Sequence, residues 1–199
     1  MSELAYDARP DDEPPDDGAL RLPSGDRSLA GSAHEGGDFM FAQLAGVDLS
    51  EADLYWAAFN EATLQGAVMA RCDLRGARFD RANLRGADLR QANCGLDNLG
   101  GTTDFIGADL SGANLSRAAI GGADFTGALL VGANLSGVRG ASAPHASTCF
   151  YGANLTAARL AGADLTGATY DSRTVFPCGF RPEQAGMVRR GEKKKKWTR

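Results

Sequence analysis

The sequence predicts an all-β solenoid, a narrow coil that turns a corner every five residues. Three observations carry this prediction. From Gly37 to Ser172 a large residue returns at every fifth position, and 25 of 27 such centres are Leu, Phe, Met, Ile, Cys or Tyr. The residue two before the centre is Ala in 20 of the 27 units, and the residue two after is Gly in 14, so the small residues are positional. A period of five matches neither the 3.6 of a helix nor the 2 of a strand. It does match a coil in which the centre and the residue two before it both point inward. A narrow interior accepts one large group per side only when the other is small. Gly after the centre supplies the permissive backbone of a tight corner. Successive coils then pair their backbones at about 4.8 Å.

The units Ala52-Asp53-Leu54, Ala87-Asp88-Leu89, Ala108-Asp109-Leu110, Ala133-Asn134-Leu135 and Ala163-Asp164-Leu165 show the pattern. These residues resemble the pentapeptide-repeat family, whose motif is A(D/N)LXX. The resemblance covers about 136 of the 199 residues. It implies a right-handed quadrilateral β-helix with four units per coil, hence about 6.75 coils over residues 37–172 and roughly 32 Å of rod at the strand spacing. Residues twenty apart should then stack. Phe39, Phe59 and Phe79 would form an aromatic column. Asn93, Asn114, Asn134 and Asn154 would fall in line as an amide ladder.

Residues 1–36 hold nine acidic and three basic groups, with Pro, Gly and Ser between them and no apolar period, and read as a disordered acidic arm. The arm has neither the basic start nor the apolar run of a secretory signal, and the expectation is a cytoplasmic protein. Two departures interrupt the rod. At Asp97-Asn98-Leu99-Gly100-Gly101-Thr102 one extra residue shifts the phase between centres 99 and 105. Asp97 there takes an inward place that Ala normally holds. A buried unpaired carboxylate is costly, so the backbone bulges or Asp97 caps a turn. At Val138 to Ser147 the centres become Gly140 and His145, either two weak units or a loop. The four-fold count puts centres 99 and 140 on one side, two coils apart, and that flank is a candidate recognition edge.

A β-helix exposes strand edges at its ends, and these need covering. Residues 173–190 read as a C-terminal cap. Val175, Phe176 and Phe180 cover the last coil, Pro177 stops further pairing, and a short cap helix starts at Pro182. Residues 191–199 form a basic tail whose Lys193–Lys196 run allows weak, salt-sensitive contact with nucleic acid.

No phosphate loop, nucleophile elbow or metal spacing is present, and His34 and His145 are the only histidines, so neither enzyme activity nor a cofactor or metal site is expected. The four cysteines, at 72, 94, 149 and 178, read as free thiols. No stretch approaches the apolar length of a membrane span. The rod is banded by charge. Arg71, Arg75, Arg78, Arg81, Arg85 and Arg90 crowd residues 71–90, with acidic stretches on either side. With Thr102, Arg139 and His145 they form the candidate interaction surface. The function expected is a non-catalytic scaffold that binds another protein with its faces or ends, and an end also offers a route to a dimer. The resemblance offers an alternative, because one branch of the family protects DNA gyrase from inhibitors by imitating a DNA duplex. Members of that branch are acidic along the rod and pair through a C-terminal helix. Here six arginines interrupt the rod and the C-terminal segment is short and basic.

Overall fold

The computed structural model describes residues 28–141 and 146–190. The chain winds into a four-sided parallel β-helix. Six bridges join seven levels on each side: Ser28 to Arg159 on the first, Ala33 to Asp164 on the second, Asp38 to Thr169 on the third, Gln43 to Val175 on the fourth. Each centre donates its amide upward and each bridge residue donates downward, as in Leu54 N to Asp73 O at 3.0 Å and Asp73 N to Ala52 O at 3.1 Å. Corners close with a bond from the residue three after the centre, such as Ala57 N to Leu54 O at 3.0 Å.

The repeat motif follows from these bonds. Centres and the Ala residues two before them are buried, except near the ends of the rod, where Leu29, Leu160 and Ala163 are half-buried, and the residue between them faces outward. The outward Asp or Asn accepts the amide two residues on, for example Ser50 N to Asp48 at 2.9 Å and Ser116 N to Asn114 at 3.1 Å, which caps the corner. The third corner residue has positive φ. Gly fills most of these places, but Phe41, Glu51, Trp56, Arg117 and Ala157 also adopt φ of 57–59° there.

The aromatic column runs farther than three members. Phe39, Phe59, Phe79, Phe105, Phe125 and Phe150 stack with centroids 4.8–5.2 Å apart and rings within 9° of parallel. This spacing equals the coil rise, so one face of the core is set by ring stacking.

The register departs from the sequence expectation at both irregular segments. Bridge partners lie twenty residues apart up to Asp73↔Asn93, twenty-six apart from Arg78↔Asp104 to Asn93↔Ala119, and twenty-five apart from Asp124↔Cys149 to Arg139↔Asp164. Six residues are therefore inserted in the first segment and five in the second. Leu99 is not a centre; it is 83% exposed on a loop. Gly140 keeps a buried centre position because Ile120 fills the space, with its side chain 3.1 Å from where a Cβ would stand. His145 lies outside the described residues. The shifted register also dismantles the expected amide ladder. Asn114 and Asn134 share the first side and bond at 3.2 Å, whereas Asn93 is on the second side and Asn154 on the fourth.

The solenoid begins earlier than its motif. Ser28↔Asp48 and Ala33↔Asp53 place residues 28–36 in the first level, where Leu29 packs on the core and the His34 ring meets Phe39 edge-on at 5.5 Å. With this start, and with Leu99 off the sides, the bridges join seven levels rather than the 6.75 coils expected. Residues 1–27 and the tail at 191–199, including Lys193–Lys196, lie outside the described residues.

The cap contains a turn and a strand where a helix was expected. A single turn over 182–186 closes with Met187 N to Pro182 O at 3.0 Å and ends at Gly186, φ 74°. Strand β1, Thr169–Tyr170, then receives β2, Val188–Arg189, in parallel, adding a layer on the third side. Pairing thus resumes beyond Pro177. Tyr170, Phe176 and Phe180 pack together over the last coil, whereas Val175 faces outward from the fourth side.

Cys72 and Cys94 are buried, Cys149 is half-buried and Cys178 is exposed; all four are free. Burial pushes the Cys72 thiol up to about 12 and raises Cys94 further. An alkylating reagent at neutral pH should therefore modify Cys178 first and reach Cys72 and Cys94 only on unfolding, as mapped by mass spectrometry. Ala157 is exposed with φ 57°, so Ala157→Gly should raise stability by about 0.5–1 kcal/mol in urea denaturation.

Candidate functional site

The corner between the second and third sides is where the fold departs from its repeat. Upward it carries Tyr55-Trp56, Arg75-Gly76, the loop 95–103, Gly121-Gly122, the second insertion and Thr166-Gly167. Both insertions leave at this one corner, two levels apart.

A threonine at the inward position two before the next centre closes each insertion. Thr103 Oγ1 donates to Leu74 O at 2.8 Å, and Thr148 Oγ1 to Ile120 O at 2.9 Å. Both hydroxyls are buried and occupy the place of the usual Ala. Each fastens the returning chain to a carbonyl of the coil below, and Phe105 and Phe150 then rejoin the aromatic column.

The first loop folds down over two levels and is held by Asp97. Asp97 Oδ2 accepts from Trp56 Nε1 at 2.8 Å and from Tyr55 Oη at 3.0 Å, while Oδ1 accepts from the amides of Leu99 and Gly101. Asp97 therefore caps a turn within a loop, and its carboxylate is fully partnered. Burial works against its charge, but the Gly101 amide, the Tyr55 hydroxyl, the Leu99 amide and the Trp56 indole outweigh that and hold it below the ordinary carboxylate value. Two glycines are required here. A Cβ on Gly76 would stand 2.9 Å from the Trp56 ring, and one on Gly101 would stand 2.6 Å from it. The Arg75 guanidinium lies 5.4 Å from the Tyr55 ring centroid and chelates Asp73. Leu96, at the start of the loop, and Ala146, in the second insertion, both lie against Gly122.

This frame presents Leu99 at the loop tip, with Trp56 46% exposed below it. Sequence reasoning missed Tyr55 and Trp56. The usable signal was two successive aromatics, Tyr55-Trp56, at a corner whose third place is most often Gly.

The six arginines do not form a patch. They occupy all four corners and the third side, and each has a carboxylate partner: Arg71 with Glu51, Arg75 with Asp73, Arg78 with Asp80, Arg81 with Glu61, Arg85 with Asp109, Arg90 with Asp88. Thr102 donates to Asp104 at 3.0 Å. Arg139 is exposed on the second side beside the second insertion. The structure thus brings Thr102 and Arg139 to one flank and distributes the arginine belt around the rod. Among the described residues no cluster of His, Cys, Asp and Glu could hold a metal, and no helix is long and apolar enough to cross a membrane.

A parallel four-sided coil with a fixed aromatic spine and one modified corner defines a β-helical repeat scaffold. The pentapeptide-repeat profile matches in eight copies over residues 38–76, 57–93, 103–137, 120–143 and 148–169, so the chain belongs to the pentapeptide-repeat family. Its first gap, 94–102, falls on the first loop. The family's fold is a right-handed β-helix, and its members are generally structural or interaction scaffolds. No curated protein matches the chain. Similar solved structures include HetL, a pentapeptide repeat protein involved in heterocyst differentiation regulation from the cyanobacterium Nostoc sp. strain PCC 7120. It is 27% identical over 83% of this chain and 73% of its own, with TM-score 0.33. A second pentapeptide repeat protein from Nostoc PCC 7120 is 34% identical over 67% of this chain and 84% of its own, with TM-score 0.34. QnrB1, a plasmid-mediated fluoroquinolone resistance protein, is 18% identical over 86% of this chain and 88% of its own, with TM-score 0.41.

Asp97 should govern the loop's response to acid. Its folded value is depressed, so its contribution is present above the ordinary carboxylate value of about 4 and is lost as pH falls through the lower folded value. Acidification below pH 4 should shift Trp56 emission in the native chain, whereas Asp97→Asn should show the shifted emission at neutral pH and no further acid step.

Proposed function

We propose that this chain is a non-catalytic cytoplasmic scaffold that binds another protein through its solenoid, with the modified corner as the recognition edge. Leu99 carries this reading. A large apolar side chain that is 83% exposed costs solubility, yet here Asp97, two glycines and two aromatic residues hold it out from the rod. A rigid apolar tip beside a half-exposed indole has the character of an interface anchor, because little freedom is lost on docking. Thr102 and Arg139 lie on the same flank and add polar contacts around it. Affinity capture with the full chain tests this. Leu99→Asp should release the captured partner with no change in the urea midpoint, and Arg85→Ala, at the opposite corner, should leave capture intact. Retention of the partner by Leu99→Asp would exclude this corner.

A second reading, a DNA mimic that binds gyrase and gives resistance to its inhibitors, draws on carboxylates stacked along the rod, Asp53 under Asp73 and Asp104 under Asp124. Arg78 stands directly under Asp104 in the second of these rows, and Arg75 pairs with Asp73 in the first. The scaffold reading expects micromolar chain neither to inhibit gyrase supercoiling nor to protect it from a quinolone; either effect would favour the mimic.

A further inference from the structure

The C-terminal end carries a cationic groove. A cavity of about 750 Å³ opens along the corner between the third and fourth sides, lined by Thr126, Tyr151, Asp171, Arg173, Arg189 and Arg190. Asp171 is already satisfied. Arg173 Nη2 lies 2.8 Å from it, and the amides of Gly152 and Arg173 also point at it. Burial opposes its charge, but these donors outweigh burial and bring it down to about 2. Arg189 and Arg190 are exposed and, among the described residues, neither forms an ion pair within 4 Å, although Arg189 lies close enough to Glu183 to favour its charged form. The lining is left with three guanidiniums against one carboxylate; β2 holds Arg189, and Arg190 follows it with its amide bonded to Tyr170 O at 2.8 Å.

We propose that this groove binds an acidic extended peptide, and that its resident occupant is the chain's own segment 11–17. That segment, Asp11-Asp12-Glu13-Pro14-Pro15-Asp16-Asp17, lies outside the described residues and supplies five carboxylates. Charge complementarity is one argument: residues 1–36 carry nine acidic against three basic groups, and residues 177–199 carry eight basic against two acidic. Reach is the other. Tyr151 stands five levels above the start of the rod at Ser28, a rise of roughly 24 Å. Crossing one side adds at most about 16 Å, and the eleven residues from Asp17 to Ser28 extend about 36 Å. Two adjacent prolines restrict the backbone of a free peptide, so a peptide of this sequence loses less conformational freedom on docking. An attached arm acts at an effective concentration near millimolar, so it occupies the groove until a more acidic partner displaces it.

Three full-length forms test this, with a fluorescent peptide of residues 7–17 as the probe. They are the native chain, a chain with Asp11→Asn, Asp12→Asn, Glu13→Gln, Asp16→Asn and Asp17→Asn, and that chain with Arg189→Gln and Arg190→Gln added. The arm-neutralised form should bind the probe at least tenfold more tightly than the native chain. The arginine changes should abolish that gain with no change in melting temperature, and tenfold more salt should weaken binding at least tenfold. Sedimentation should show a monomer in all three forms. Equal binding by native and arm-neutralised chains, or binding that survives the arginine changes, would overturn the proposal. So would a native dimer that dissociates on neutralising the arm, because the arm would then occupy a second copy.

Discussion

Everything in this rod depends on a rise of one strand spacing per coil, which stacks like upon like. A side chain at one level sits about 4.8 Å from its equivalent above and below, too close for two bulky groups to share a side and too far for a void to close. The sequence meets this demand with one large and one small inward residue per side. The phenylalanine column expresses it most directly, since six rings at 4.8–5.2 Å stack at the same pitch as the backbone ladder. Backbone bonds and ring contacts therefore specify one repeat distance between them, and neither has to compromise.

That constraint decides where the coil admits extra residues. An insertion is harmless to the core only if the chain returns in register and leaves no inner polar group open. Both insertions meet these terms in the same way. Thr103 and Thr148 replace an inward alanine, add little volume, and direct a hydroxyl at a carbonyl below. The next residue pair then restores the column at Phe105 and Phe150. Because both excursions leave at one corner, the other three corners keep their repeat through these levels, and irregularity is concentrated where Tyr55, Trp56 and Asp97 can support it.

Much of this was legible in the sequence, and the limits have physical causes. The inward pair, the corner glycines and the lower half of the aromatic column depend on local spacing. The upper half depends on how many residues a loop consumes, and Leu99 satisfied the period by coincidence, so it read as a centre. The amide ladder failed for the same reason: register is a running count, and an error of one unit moves every later residue to another side. The first level was hidden because Leu29 and His34 lack the alanine partner of the motif. The Asp97 cluster joins residues 41 and 42 positions apart, and the arginine pairings join successive coils or a residue and its neighbour two on, so neither can be read from composition along the chain. The cap read as helical from Pro182, but the open edge of the third side offered Val188 and Arg189 a ladder that a helix could not complete.

The outward Asp or Asn of the motif has a consequence for how such rods diversify. Its task in the fold is to accept one amide at the corner, and both residues do this with the same oxygen, as Asp48 and Asn114 illustrate. The exchange of one for the other leaves geometry untouched and changes charge by one unit. Each side is therefore a column of independent switches, laid out at fixed pitch on a rigid body. Electrostatic identity can be rewritten position by position while the shape that displays it stays constant, and selection on what the rod meets is largely uncoupled from selection on how it folds.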